Sequence, residues 1–509
     1  MLNTNAIRSN YTHLQQRVEI SAENAREKPR IFLDSTASTQ IPIPVYEQLL
    51  RSGFNYANVH RGEYDASQIT TESFERAYNV AANLVNANSW QEIVFGRNTT
   101  EMINLVWRSM EYDFKDGDNV VVTGLEHNSN YVSWFGLQQN LAKIGKKIDL
   151  RIVPFDHNSG ELDMNTLRSF VDRRTKVVAV SGASNFMGVR PDTTTIGEIA
   201  HASGYAQPDS SRGSYFLVDG AQLVPGSPVD VQKIGCDFLV WSFHKMSLPF
   251  GVGGLYARKE IIENLSPFLF GGDMIEDVKP GVVKLKPLPW RYTAGTPNIL
   301  GTIVTGHGVP FLINAGLDRL KHSPLEDMIE HEGKLIETAI LMNTPRGGFT
   351  IPYTVEDERQ DTFRTYLDHH PELKTILRDP QARLERTRTT VKEAMGNIQR
   401  HEEELTGLAL EGLSSIPNLT IYGPRNPHKR TGLVAFNIDG VSAQSVAMEL
   451  NRRGIEVRNG AHCASLAHYY MNVPDRASVR MSFYVYTTPD EVQSAVAAVR
   501  DIRDEFKKI

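Results

Sequence analysis

Short apolar runs that break off abruptly into polar side chains recur along this chain. Phe216 to Val218 ends in Asp219-Gly220-Ala221-Gln222, and Cys236 to Trp241 ends in Ser242-Phe243-His244-Lys245. Ile93 to Phe95, Asn119 to Thr123 and Lys176 to Val180 have the same form. Runs of this length bounded by turn residues predict buried strands of an open α/β sheet. Helical spacing takes over between them, as in Met102 to Met110, which follows Gly96-Arg97-Asn98-Thr99-Thr100-Glu101. In such sheets functional side chains collect where strands end at their carboxyl termini.

The flanking regions read differently. Residues 1–30 predict a polar helical arm. The stretch Ser323 to Met395 is charged, and Leu384, Val391, Ile398 and Leu405 keep one helical stripe, which predicts an inserted, solvated helical excursion. From Asn397 an amphipathic helix and the strand Leu433 to Ile438 predict a smaller domain, and Ala206 to Gly213 reads as a small surface insertion. The expected division is an arm at 1–30, a large domain at 31–310 and a small C-terminal domain at 311–509, with the insertion at about 323–395.

Composition narrows the class. The 509 residues are 40% hydrophobic and 22% charged, with a net charge of −6, so a soluble globular protein is expected. Without a basic block, a nucleic-acid scaffold and a membrane-surface binder are both disfavoured. No run of ~18 apolar residues is evident, which predicts no spanning helix. Met1 to Arg17 lacks the apolar centre of a secretory signal. Cys236 and Cys463, too few for a disulfide framework, suit a reducing cytoplasm.

The strand ends carry the chemistry. A lysine there can form a Schiff base, and a buried carboxylate can keep a heteroaromatic nitrogen protonated. Pyridoxal phosphate requires both groups. Taken singly, Lys245 reads as a solvated lysine and Asp219 as a helix cap. Their grouping with Gln222, Ser242 and His244 in one segment favours the cofactor. Thr99 and Thr100 stand where a helix begins, and free N–H groups with hydroxyls there form an anion site. Cys463, beside His462 and between Arg458 and Arg480, is placed as an accessible nucleophile.

These segments resemble the fold-type I pyridoxal phosphate enzymes of the class V aminotransferase group, in the branch of group II cysteine desulfurases and selenocysteine lyases. The motifs are Asp219-Gly220-Ala221-Gln222, Ser242-Phe243-His244-Lys245, Asn58-Val59-His60-Arg61-Gly62, Gly271-Gly272-Asp273-Met274-Ile275 and Ala294-Gly295-Thr296-Pro297-Asn298. The resemblance implies a large domain with a mostly parallel seven-stranded sheet and a smaller α+β domain. It implies Lys245 as covalent anchor, Asp219 and Gln222 at the ring nitrogen and 3-hydroxyl, and His127 stacked on the ring. Thr99, Thr100, Ser242 and His244 fall on the phosphate, and Asn185 lies near the hydroxyl and the substrate. Thr296 is implied to reach a neighbouring subunit's phosphate, hence a homodimer with shared sites.

His60, Arg61, Arg458 and Arg480 fall at the substrate, with Arg480 on its carboxylate, and Cys463 is implied to be the sulfur-accepting thiol. Asn128 departs from the pattern, standing where a second histidine is usual; Asn459 and Ala461 depart near the thiol. The implied reaction turns L-cysteine into L-alanine with a persulfide on Cys463, and the implied partner is a sulfur-acceptor protein. The alternative is another class V enzyme, an epimerase, C–S lyase or biosynthetic tailoring enzyme acting on a different amino acid, in which Cys463 is incidental.

Overall fold

The structure, a computed structural model, describes residues 1–19, 27–208, 213–320, 328–346 and 357–507. Seven strands form the central sheet: β1 (Ile93–Gly96), β2 (Asn119–Thr123), β3 (Asp149–Val153), β4 (Thr175–Ser181), β5 (Tyr215–Asp219), β6 (Phe238–Ser242) and β7 (Gly253–Ala257). Their order is β1-β7-β6-β5-β4-β2-β3. Only β7 runs antiparallel to its neighbours. The continuous apolar character of β2, β4, β5 and β6 follows from this arrangement, since all of their residues are buried.

A second sheet, β8 (Leu419–Tyr422), β9 (Leu433–Ile438), β10 (Arg458–Gly460) and β11 (Ser478–Ser482), is antiparallel in the order β8-β9-β11-β10. The strand Ile31–Phe32 pairs in parallel with Ile455–Glu456. The chain at 31 therefore joins the C-terminal part before it enters the large sheet, so a boundary at that point does not separate two compact units.

Two other expectations are corrected. The arm at 1–30 is helical only at Thr4–Arg8; a 3-10 turn at Thr12–Gln15 and a hairpin of Arg17–Glu19 with Glu27–Pro29 follow, and residues 20–26 lie outside the described residues. Docking explains the break in the helix. Ile7, Tyr11 and Leu14 are buried, and the Tyr11 hydroxyl meets Ser247 Oγ at 2.9 Å. In the insertion, the helix expected from Asn397 begins at Pro380, capped by the Asp379 carboxylate, and runs unbroken to Ser414. The excursion and the small domain thus share one element. In the stretch Ala206 to Gly213, Ala206 and Pro208 are exposed as a surface insertion requires, Gln207 and Gly213 are buried, and 209–212 lie outside the described residues.

A further helix, Ile299–Gly316, is long and apolar enough to cross a membrane by length and composition, contrary to the reading that no such segment exists. Thr302, Thr305 and His307 interrupt its apolar run in the sequence. It is mostly buried against Asp65–Val85, where Gly306 passes close to Ala77, and it serves as a core helix.

The segment after Met328–Met342 is stapled to Asp65–Val85 by a buried arginine. Arg346 donates to Asn83 Oδ1 (2.7 Å), Asn86 Oδ1 (3.0 Å) and the Ala87 carbonyl (2.9 Å), while Asn83 Nδ2 donates back to the Met342 and Thr344 carbonyls. Removing the guanidinium leaves buried acceptors unpaired. Arg346→Ala is expected to lower the unfolding free energy by roughly 2–4 kcal/mol. Urea unfolding checks this, and a midpoint equal to that of the unaltered protein contradicts it.

Candidate active site

Parallel strands standing side by side bring their carboxyl ends to one level, and the cleft is built there. Ser181 at the end of β4 is in register with Asp219 at the end of β5, and Gly220 N donates to the Val240 carbonyl of β6 at 2.8 Å. Past β6 the chain makes a 3-10 turn, Phe243–Lys245, which delivers Lys245 beside Asp219. A cleft of about 280 Å³ results. Of the residues expected at a site, it gathers Thr99, Thr100, His127, Asn185, Asp219, Gln222, Ser242, His244, Lys245, Arg458, Cys463 and Arg480.

Electrostatics at the centre follow from burial. Loss of water pulls the Lys245 amine down to about 8, although the Asp219 carboxylate acts in the opposite direction. Burial raises the Asp219 carboxyl above the usual range, opposed by the Ala221 N–H at 3.0 Å and by Lys245. Gln222 spans to the Thr36 carbonyl with its Nε2 at 3.0 Å. His127 caps the helix Asn128–Lys143, its Nδ1 accepting from Ser129 N at 3.1 Å, which assigns the ring proton to Nε2. Burial and then the nearby Lys245 and arginine charges lower this ring to about 4, so it is neutral at physiological pH.

One pole of the cleft suits a phosphate. Thr99 and Thr100 open the helix Thr99–Met110, which Asn98 caps by accepting from Glu101 N. Asn98 thus has an extended backbone and a capping role. Ser242 Oγ accepts from Thr99 N at 2.7 Å and lies 2.6 Å from Thr99 Oγ1, and Thr100 Oγ1 lies 2.7 Å from Ser129 Oγ. Gly253 allows this closeness, since a Cβ there would sit 2.6 Å from the Asn98 backbone. A helix N-terminus ringed by hydroxyls stabilises a dianion. His244 at this pole is held neutral, lowered to about 4 by burial and then by Lys245.

The opposite pole is cationic. Arg480, buried in β11, donates to the Asn185 carbonyl (2.8 Å) and to Asp34 Oδ1 (3.1 Å). Its Nε and Asn185 Oδ1 are buried without a hydrogen-bond partner among the described residues. Cys463 is exposed and lies close enough to Lys245 and Arg480 to couple electrostatically with both. His462 and Cys463 both have left-handed backbones, with φ of 52° and 55°.

Three expected residues do not line this cleft. His60 packs on Trp290 with ring centres 4.5 Å apart and pairs with Glu75 (3.3 Å) and Asp273 (3.7 Å); Arg61 pairs with Asp273 at 3.4 Å. Burial opposes the charge on His60, but the two carboxylates outweigh it and raise its pKa. Their contacts make these two residues an ion-pair cluster away from Lys245. Thr296 is exposed outside the cleft.

Several residues that belong to the site escaped the sequence. Asp34 holds Arg480, and Ser129 completes the hydroxyl ring. Glu126 is wholly buried, pushed up to about 7 by burial, and accepts from Thr123 Oγ1, Asn130 Nδ2 and Ser181 N and Oγ. The Asp-Ser-Thr-Ala run beginning at Asp34 hints at a backbone near a ligand. Nothing local signals its pairing with an arginine 446 positions away.

The sequence profile of the family described as Aminotransferase class-V matches residues 31–361 and 388–494. A probable cysteine desulfurase of Halalkalibacterium halodurans is 32% identical over 480 residues, covering 94% of each chain. A cysteine desulfurase of Haloferax volcanii is 30% identical over 514 residues, covering 99% of this chain and 98% of that one. Among solved structures, an apo cysteine desulfurase from Thermococcus onnurineus superposes with a TM-score of 0.72 at 28% identity, over 99% of both chains.

An amine at about 8 has a direct readout. In cofactor-free protein, the rate of Lys245 acylation is expected to rise with pH about a midpoint near that value. Asp219→Asn moves the midpoint lower, because it removes a charge that favours the ammonium. A midpoint in the range of ordinary lysines, about 10.4, contradicts the burial argument. The unfolded chain keeps this proton through that interval while the folded one has released it, so the group makes stability rise with pH there.

Proposed function

Because the chain belongs to the class-V aminotransferase family, we propose that it is a pyridoxal-phosphate-dependent cysteine desulfurase, converting L-cysteine to L-alanine with a persulfide formed on Cys463. The observation that carries this reading is an exposed thiol sharing one cleft with a desolvated lysine and a buried arginine. A site that only moved protons or amino groups would have no use for the thiol.

The residues fit the cofactor. The hydroxyl-ringed helix start at Thr99 suits its phosphate, and Asp219 suits a protonated ring nitrogen. The orphaned Asn185 Oδ1 and Arg480 Nε await partners of the kind a ligand would bring. When bound, pyridoxal phosphate supplies an electron sink for the substrate α-carbon.

This chain's own groups would do the rest. Lys245, its amine lowered by burial to about 8 and so released of its proton far more easily than an ordinary lysine, would hold the cofactor covalently and then move the α-proton. The neutral His127 ring, fixed by its bond to Ser129 N, offers a flat face for stacking. Arg480, braced by Asp34 and Asn185, binds the substrate carboxylate. The Cys463 thiolate attacks the substrate sulfur. An S–S bond forms as the Cβ–S bond breaks, the electron pair returns to the carbon skeleton, and Cβ takes a proton to become the methyl of alanine. A thiol, small or on an acceptor protein, then removes the terminal sulfur. A homodimer belongs to the same reading: an exposed Thr296 is free to serve a second copy's phosphate site.

Incubation with L-cysteine and dithiothreitol is expected to yield alanine and sulfide together. Cys463→Ala should reduce both by roughly 100-fold or more, and Lys245→Ala should abolish turnover while the cofactor can still bind. Arg480→Lys should raise KM by roughly 10- to 100-fold, since a point charge replaces a fork. Alanine output from Cys463→Ala equal to that of the unaltered enzyme overturns the proposal.

A further inference from the structure

We infer that Asn128 is a positioning residue that clamps the cysteine-bearing turn through its side-chain amide. The importance of that turn rests on the desulfurase reading, but the clamp itself does not. Two adjacent non-glycine residues, His462 (φ 52°) and Cys463 (φ 55°), adopt a left-handed backbone. Such a pair persists only where its surroundings over-determine it.

The His462 ring is buried, with its Nε2 3.0 Å from Ser478 Oγ and its face on Phe186, and further bonds hold the backbone of the turn. Ala464 N donates to the Ala461 carbonyl at 2.8 Å and closes the turn from within. Asn185 Nδ2 donates to the His462 carbonyl on one side. Asn128 supplies the other side with three bonds. Its N–H donates to the Cys463 carbonyl at 2.6 Å, its Oδ1 accepts from Ser465 N at 3.1 Å, and its Nδ2 donates to Ser465 Oγ at 3.2 Å. The grip thus reaches past the thiol-bearing residue and holds the first residue of the helix Ser465–Tyr470.

The clamp is anchored to something rigid. Asn128 begins the helix Asn128–Lys143, whose start is tied down by the His127 cap and by the buried Glu126, which receives donors from β2, β4 and this same helix. A strained turn on one sheet is therefore referenced to the strand ends that carry Asp219 and Lys245. Only a side chain with a donor and an acceptor at this reach makes both contacts with Ser465, and an amide does so. The result is a thiol that is exposed yet fixed toward Lys245 and Arg480.

The test is hydrogen exchange over residues 459–467 in the full-length protein. Asn128→Ala is expected to exchange there roughly tenfold faster, because the Ser465 amide loses its acceptor. Asn128→Asp keeps Oδ1 and should retain that protection. In the holoenzyme, Asn128→Ala should alkylate faster with iodoacetamide at Cys463 and lose kcat several-fold, with KM for cysteine unchanged because Arg480 is untouched. If the alanine variant does not fold, Asn128→Ser, too short to reach Ser465, gives the same reading. Exchange and alkylation identical to the unaltered protein overturn the clamp. Faster exchange in a protein inert toward cysteine keeps the clamp and removes the desulfurase reading.

Discussion

An amine and a carboxylate held together out of water are the constraint on which this molecule turns. Lys245 and Asp219 are each disfavoured in their charged forms by burial, and each partly restores the other. Neither could be kept there by a loop alone. Two adjacent, wholly buried parallel strands end beside each other, with the Gly220 N–H extending the ladder to Val240 beyond the last paired residue. Their apolar residues serve both to fill the core and to fix, to within a hydrogen bond, where two expensive polar groups emerge.

A second constraint joins the two sheets across the cleft. The segment after Ile31–Phe32 runs from the small sheet to the lysine turn. Ser482 N donates to the Leu33 carbonyl at 2.8 Å, Thr39 N donates to the His244 carbonyl at 3.0 Å, and Ser247 N donates to Thr39 Oγ1 at 2.6 Å. Asp34 lies on this splint and holds Arg480. The distance between Arg480 and Lys245 is thus set by the stretch from Ile31 to Thr39, bonded at both ends. This explains why a chain portion distant in sequence from both strands lines the cleft through Thr36 and Ala37.

The residues legible in the sequence share one property. Asp219, Gln222, Ser242, His244 and Lys245 follow directly on apolar runs, and Thr99 and Thr100 open a helix, so local pattern announces them. What stayed hidden depends on pairing over long separations. Asp34 acquires its role only because Ile31–Phe32 joins Ile455–Glu456. Asn128, a departure from the family pattern, bonds a residue 337 positions away. The Ile299–Gly316 helix was obscured because its threonines, glycines and histidine break up an apolar run that only packing reveals as core. In the N-terminal arm Ile7, Tyr11 and Leu14 keep the i, i+4, i+7 spacing of one helical face, yet the helix stops at Arg8 and a 3-10 turn carries Leu14, so local spacing does not show where the helix ends.

Charge in the cleft is apportioned by the same burial that positions it. His127 and His244 are lowered to about 4, and His462 to about 2, in each case first by loss of water and then by neighbouring cations. Three imidazoles therefore add no positive charge at neutral pH. Apart from the Lys245–Asp219 pair, the charge lining the cleft sits on Arg458 and Arg480 at one end, while the helix start at Thr99 offers dipoles and hydroxyls at the other. A ligand with an anionic group at each end and a flat ring between them matches this distribution. Were the histidines charged, the centre would attract anions as strongly as the poles, and a doubly anionic ligand would have no preferred register along the cleft. Desolvation of the imidazoles thus contributes to orientation, and it arises from the packing of strand ends rather than from any specific contact to the ligand.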